Sequence, residues 1–280
     1  MTLEWSNYKE KSFFLLYNLP DSLKGALSKA WHQQYEELYE SDAEGVTSLQ
    51  DALDEILELF QGNNQTLSHL RYVWMALILA CVVEPTVKYY QPNTLIPEET
   101  INQIAVWLVK TLQEMVSSKM PFAQVAREKE KEATAIVDVV RLFTENQKIV
   151  SFQVLFEALD VYSSAIKTLD YNQSLEALLD ILDDCLEGYA IFPGSYGRRE
   201  LFDWWLLEVV PASWYLLPPS SIYLINELPN DKNIALRQMN KLQEISFAMW
   251  STILRINESQ NSSSLRSFRS IFDSSTNEIE

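Results

Sequence analysis

Glycine is scarce, 6 in 280 residues, and no run alternates apolar and polar residues between Asn-Gly or Asp-Gly turns. Strands and tight hairpins need both, so helix is the default. Only two cysteines occur, each inside an apolar run, LILACVV for Cys81 and ILDDCLE for Cys185. Small buried hydrophobes look like this, which excludes a disulfide framework and fits a reducing cytoplasm. The two histidines, His32 and His69, stand outside any H-E-x-x-H or E-x-x-H pattern, with Lys29 and Thr66 three positions before them. The chain also lacks G-x-S-x-G, G-x-G-x-x-G and G-x-x-x-x-G-K-[ST]. Hydrolase triads, zinc proteolysis, ferritin-like di-iron sites and nucleotide loops are therefore without their signatures, and no cofactor is expected.

Positive charge is short as well, with 22 Lys and Arg against 39 Asp and Glu and a net charge of −17. Such a field repels nucleic acid and anionic lipid and attracts basic proteins or peptides. The longest uncharged apolar run, YVWMALILACVV at 72–83, falls short of the roughly 20 residues of a membrane span and reads as a buried helix. At the N-terminus, MTLEWSNYKEKSFFLLYNLP has Glu4 ahead of its apolar part and no small-residue cleavage site, so a signal peptide is not expected.

What is present is helical periodicity. Pro20-Asp21-Ser22 and Pro97-Glu98-Glu99 put proline and acids where first-turn amides lack partners and the dipole is positive. Leu49, Leu53, Ile56, Leu57 and Phe60 recur at helical spacing, as do Leu175, Leu178, Leu179, Leu182 and Leu186. The expectation is an all-α domain over 1–256, with about ten or eleven helices in antiparallel pairs. Its Ser/Asn-rich continuation at 257–280 reads as a disordered tail. Within it, Leu265, Phe268, Ile271 and Phe272, with Arg266 and Arg269, form a short basic amphipathic segment at 265–272.

Two segments share a pattern. LQDALDEILELF (49–60) and LLDILDDCLEGY (178–189) both fit L-x-D-x-L-D-[DE]-x-L-E-x-[FY]. Each precedes a glycine-containing turn and an arginine, Arg71 or Arg199, that leads into a Trp-containing helix. Two similar halves, about 30–150 and 160–256, would produce this, although any leucine stripe backed by carboxylates resembles another.

The stretch LFDWWLLEVVPASWYLLPPSS at 201–221 carries three of eight tryptophans and only Asp203 and Glu208 as charges. As a helix from about Arg198 to Val210 it is apolar on nearly every face, the mark of a central helix. The other reading is a binding groove lined by Trp204, Trp205, Trp214 and Tyr215, because exposed aromatics anchor partners. Trp214 and Tyr215, between Pro211 and Pro218 where the helix should break, are the better candidates for exposure.

The acidic faces are the remaining candidates. Asp51, Asp54, Glu55 and Glu58 share one helical face, and so do Asp180, Asp183, Asp184 and Glu187. Solvated faces of amphipathic helices look like this. Opposed across a cavity, the same carboxylates would suit magnesium and a diphosphate. The segment 181–189 resembles the second aspartate-rich region of isoprenyl diphosphate synthases, with Glu187 in place of the final aspartate. That resemblance implies a Mg-dependent isoprenoid diphosphate enzyme using 51–58 and 180–187. Residues 76–108, a small-residue helix, an aromatic end, a Pro-bounded loop and a second helix reaching Ala105-Val106-Trp107-Leu108, resemble all-helical immunity proteins of bacterial polymorphic-toxin systems. That resemblance implies a non-enzymatic module for a basic protein partner, with acidic faces setting encounter rate and aromatics supplying affinity.

Overall fold

Two helices begin where a side chain satisfies a first-turn amide. Ser48 accepts from the Asp51 amide at 3.1 Å, and Asn64 from the Leu67 amide at 3.1 Å. The structure, a computed structural model, describes residues 18–40, 43, 47–62, 64–117, 153–191, 197–224 and 231–259. The tail segment 265–272 lies outside them.

Among the described residues the fold is all helical. Helix α1 (Asp21–His32) is followed by a 3-10 turn (Glu36–Leu38), α2 (Leu49–Glu58), α3 (Gln65–Tyr90) and α4 (Ile96–Ser117). Then come α5 (Gln153–Lys167) and α6 (Ser174–Leu182), which runs into a π-helical turn, Asp183–Glu187. Helix α7 (Arg198–Trp204) continues through a second π turn (Trp205–Val209) into α8 (Val210–Tyr215), and α9 (Asp231–Ser259) follows. Counting Arg198–Tyr215 as one, these are eight helices.

The organising element is α3, packed by α4, α5, α6, α8 and α9. Being enclosed on all sides explains why its sequence is apolar all round rather than amphipathic, and residues 67–87 are buried without interruption. Its length and composition would let it cross a membrane, but 94% of the most apolar window is buried inside the fold. Several polar groups on α3 are tied to distant parts of the chain. Trp74 Nε1 donates to the Leu217 carbonyl at 2.8 Å, and the Ala80 carbonyl accepts from Tyr162 of α5 at 2.8 Å. His69 Nε2 bonds the Thr168 carbonyl at 2.8 Å. Glu84, 1% exposed, accepts from Arg237 and Gln238 of α9. That buried carboxylate latches α9 onto the centre.

The Trp-rich stretch is core. Trp204, Trp205 and Trp214 are all buried, Trp205 completely. The expected break at Pro211 does not occur. The π turn immediately before it has already given up the ordinary i to i−4 bonding, so a residue without an N–H enters the helix at little cost. The helix ends later, at Leu216 in the left-handed region (φ 54°), where the Leu217 amide bonds the Ala212 carbonyl at 2.9 Å.

Candidate functional site

The carboxylates gather where α5 and α6 lie side by side. The loop between them is short, 168–173, which makes them antiparallel neighbours. Helix α6 turns its apolar residues, Ala177, Leu178, Ile181 and Leu182, inward, so Asp180 and Asp183 are left exposed. Helix α5 does the same with Leu155, Ala158, Leu159 and Tyr162, which leaves Glu157 half-buried and Asp160 exposed next to them.

The π turn at 183–187 adds Asp184 and Glu187 to this group by widening the helix, and three contacts hold it open. Glu157 accepts from the Tyr189 amide, and the Gly188 amide donates to the Asp183 carbonyl at 2.8 Å. On the carbonyl side, Arg198 donates from Nη1 to Leu186, its guanidinium 5.1 Å from the ring centres of both Tyr39 and Tyr189. Gly188 is obligatory here. A Cβ at that position would lie 2.6 Å from the Asp184 carbonyl oxygen and 2.9 Å from Glu157 Oε2.

The electrostatics follow from that crowding. Asp184 is pushed up to about 8, by burial first and then by Asp160, Glu157, Asp183 and Asp180. Asp183 is raised by burial, Asp180 and Glu157; Asp160 is raised by burial, with Lys167 opposing and Glu157 and Asp180 adding to it. Glu187 is raised by burial, Asp183 and Glu37, with Arg198 opposing. Burial first, and then mutual repulsion, works against full ionisation of this group, most strongly at Asp184. Protonation relieves the repulsion, and so would an external cation.

Of the residues expected from sequence, Asp180, Asp183, Asp184 and Glu187 do form one cluster. Its second wall is α5, not α2. Glu55 instead pairs with Lys29 of α1 at 2.6 Å, and Gln50 donates to Asp54 at 3.4 Å. Asp51 and Glu58 are exposed on the same helix. Among the described residues no three His, Cys, Asp or Glu side chains converge closely enough to hold one metal ion.

Of the two readings of the aromatic stretch, the buried helix holds and the groove of Trp204, Trp205, Trp214 and Tyr215 is corrected. Trp204 donates from Nε1 to the Ser221 carbonyl at 3.1 Å, Trp205 stacks on Phe202, and Trp214 packs edge-on against Phe60 at 5.3 Å. Tyr215 is half-buried with its hydroxyl enclosed. Rings fixed in the interior line no open groove. The exposed aromatic beside the carboxylates is Tyr39, 61% exposed and held at a left-handed φ of 60° that bulky residues rarely adopt. Sequence reasoning missed Glu157, Asp160 and Tyr39. The first two had a signal, since Glu157 and Asp160 are i, i+3 neighbours one short loop from ILDDCLE.

Comparison with protein-family models, with curated proteins and with solved structures gave no match.

Proposed function

We propose that this chain is a non-enzymatic binding module that receives a basic segment of a protein partner on the α5/α6 acidic ridge. The observation carrying this reading is the crowding of Glu157, Asp160, Asp180, Asp183, Asp184 and Glu187, with Lys167 and Arg198 the only cations acting on them among the described residues. A lysine or arginine from outside would remove that repulsion on binding. Tyr39, presented beside Arg198 and Tyr189, is the aromatic anchor of the surface. Helices 49–58 and 174–187 are counterparts of one another in two similar halves, each with leucines inward and carboxylates outward; the first, salt-bridged to α1, serves long-range steering. Inhibition of a basic toxin, as immunity proteins do, is one form of the same chemistry. The cytoplasm is the compartment that suits two free, buried cysteines.

The test is affinity capture from the native cell with two baits, the parent and an Asp160→Asn/Asp180→Asn/Asp183→Asn/Asp184→Asn variant. A basic protein held by the parent and lost by the variant is expected. Its association should slow as salt rises from about 0.05 to 0.3 M, since the Debye length shrinks to below about 10 Å. Equal retention by both baits, or a salt-independent on-rate, refutes the reading.

A further inference from the structure

Helix α9 carries two apolar seams, and the fold buries one. Ala235, Leu242, Ile245, Met249 and Ile253 are buried where the helix packs on α3 and α4. About a third of a turn round the helix stand Leu236, Phe247 and Leu254, exposed by 64%, 75% and 54%. Phe247 is the most exposed large apolar side chain among the described residues. With Asn240, Gln243 and the half-buried Trp250 these residues recur at alternating intervals of four and three, at 236, 240, 243, 247, 250 and 254. Such alternation is the a/d repeat by which one helix seats its side chains between those of another, here along about 27 Å. A helix packed on one side only keeps the rest of its surface polar.

Charge and fit both favour a second copy of the chain on this seam. At a net charge of −17 two copies repel one another. Helix α9 departs from that acidic excess: Lys232, Arg237, Lys241 and Arg255 outnumber Asp231, Glu244 and Glu258, so copies that meet on it bring no surplus of negative charge together. A basic partner is drawn to the acidic helices instead. The seam also matches itself. Laid parallel and in register, two α9 helices set apolar residues on apolar ones and Asn240 on Asn240, where facing amides can each donate and accept. The antiparallel arrangement of the same length sets Asn240 against Trp250 and Gln243 against Phe247, leaving amides on aromatic rings. Leu236, Phe247 and Leu254 expose roughly 400 Å² per copy, the size at which an apolar patch marks an interaction site. With the flanking residues the pair would bury about 1,200 Å² in total, the lower limit of a specific interface.

We propose that α9 is the contact between two copies of this chain, which pair their 236–254 seams in parallel as a weak, reversible dimer. The seam and the acidic ridge lie on different helices, so the dimer stands or falls separately from partner binding.

Sedimentation velocity of the full-length protein from about 1 to 300 µM tests this, with a dissociation constant of about 1–100 µM expected for an interface of this size. Phe247→Ser should raise that constant at least about tenfold, and Phe247→Leu less than about threefold, both with the melting temperature of the monomer unchanged because the side chain is exposed. Raising salt from about 0.05 to 0.3 M should tighten the pair by screening the repulsion between copies, whereas it slows association with a basic partner. Both native cysteines are buried, so Leu254→Cys adds a single accessible thiol. Under mild oxidation that variant should form a disulfide-linked dimer, because parallel seams set the two 254 positions side by side. In an antiparallel pair only a mixture of Leu236→Cys and Leu254→Cys chains would link, which overturns the proposal. Dissociation by salt overturns it too, and so does a monomer at every concentration, including one in which Phe247→Ser lowers the melting temperature because another part of this chain covers the seam.

Discussion

Trp204 and Trp205 are neighbours, both buried, and substitution with phenylalanine should separate them. The Nε1 of Trp205 is enclosed without a hydrogen-bond partner, whereas that of Trp204 bonds the Ser221 carbonyl at 3.1 Å. Replacing either ring by phenylalanine leaves a cavity of roughly 40 Å³, which costs about 1 kcal/mol. At Trp205 the change also removes an unpaired buried donor worth about 1–3 kcal/mol, so Trp205→Phe should fall within about 1 kcal/mol of the parent or stabilise it. At Trp204 it removes a made bond and strands a carbonyl, for a total of about 2–4 kcal/mol. Alanine at position 205 discards the whole ring and should cost about 3–5 kcal/mol. Urea denaturation followed by circular dichroism gives these differences from midpoints at a common slope. The reasoning fails if Trp205→Phe costs as much as Trp204→Phe, and the core assignment fails if Trp205→Ala unfolds within about 0.5 kcal/mol of the parent.

Further outcomes follow from the buried charges and the π turn. His69 is lowered to about 4 by burial, so the unfolded chain binds its proton first; stability falls as pH drops below about 6.5, by about 3 kcal/mol once pH is below 4. Asp184 acts in the opposite sense. Its folded value of about 8 lies above the unfolded one, so stability rises as pH falls from about 8. Asp184→Asn should flatten that upper limb of a pH titration of unfolding and leave the acid limb intact. Gly188→Ala forces a Cβ against the Asp184 carbonyl and should destabilise by more than about 2 kcal/mol, measured by thermal denaturation. Glu84→Ala strands buried Gln238 and should cost about 1–3 kcal/mol, with Glu84→Gln milder; equal costs would count against the latch.

The fold was legible to the extent that periodicity was. The leucines of 49–58 and the all-round apolar face of 72–83 describe α2 and the middle of α3 because burial acts on every turn. The hairpin read across 76–108 is α3 with α4. The break expected at Pro211 failed because a π turn shifts the bonding register by one residue, and nothing in local composition marks that shift. At the site, the carboxylates of α6 were visible as one face, but their counterpart was sought on the similar helix α2. Pattern similarity is silent about adjacency, whereas the short loop into α6 pointed to α5. Tyr39 was invisible because its exposure depends on one backbone dihedral angle. For the aromatic stretch the central-helix reading held and the groove reading did not, because Trp and Tyr are as much at home in a core as on a binding surface.

The enclosure of α3 has a consequence for synthesis. Its donors at Arg71 and Trp74 meet their acceptors 143 residues further along the chain, and Glu84 meets Gln238 after 154. At about 5–20 residues per second, α3 emerges from the ribosome about 7 to 30 s before the segments that complete those bonds. For that interval the newborn chain has α4, α5 and α6 to pack against α3, while the faces covered by α8 and α9 stay open. The enclosure of α3 is thus completed only when the C-terminal helices arrive, which makes its burial a late, long-range event in folding.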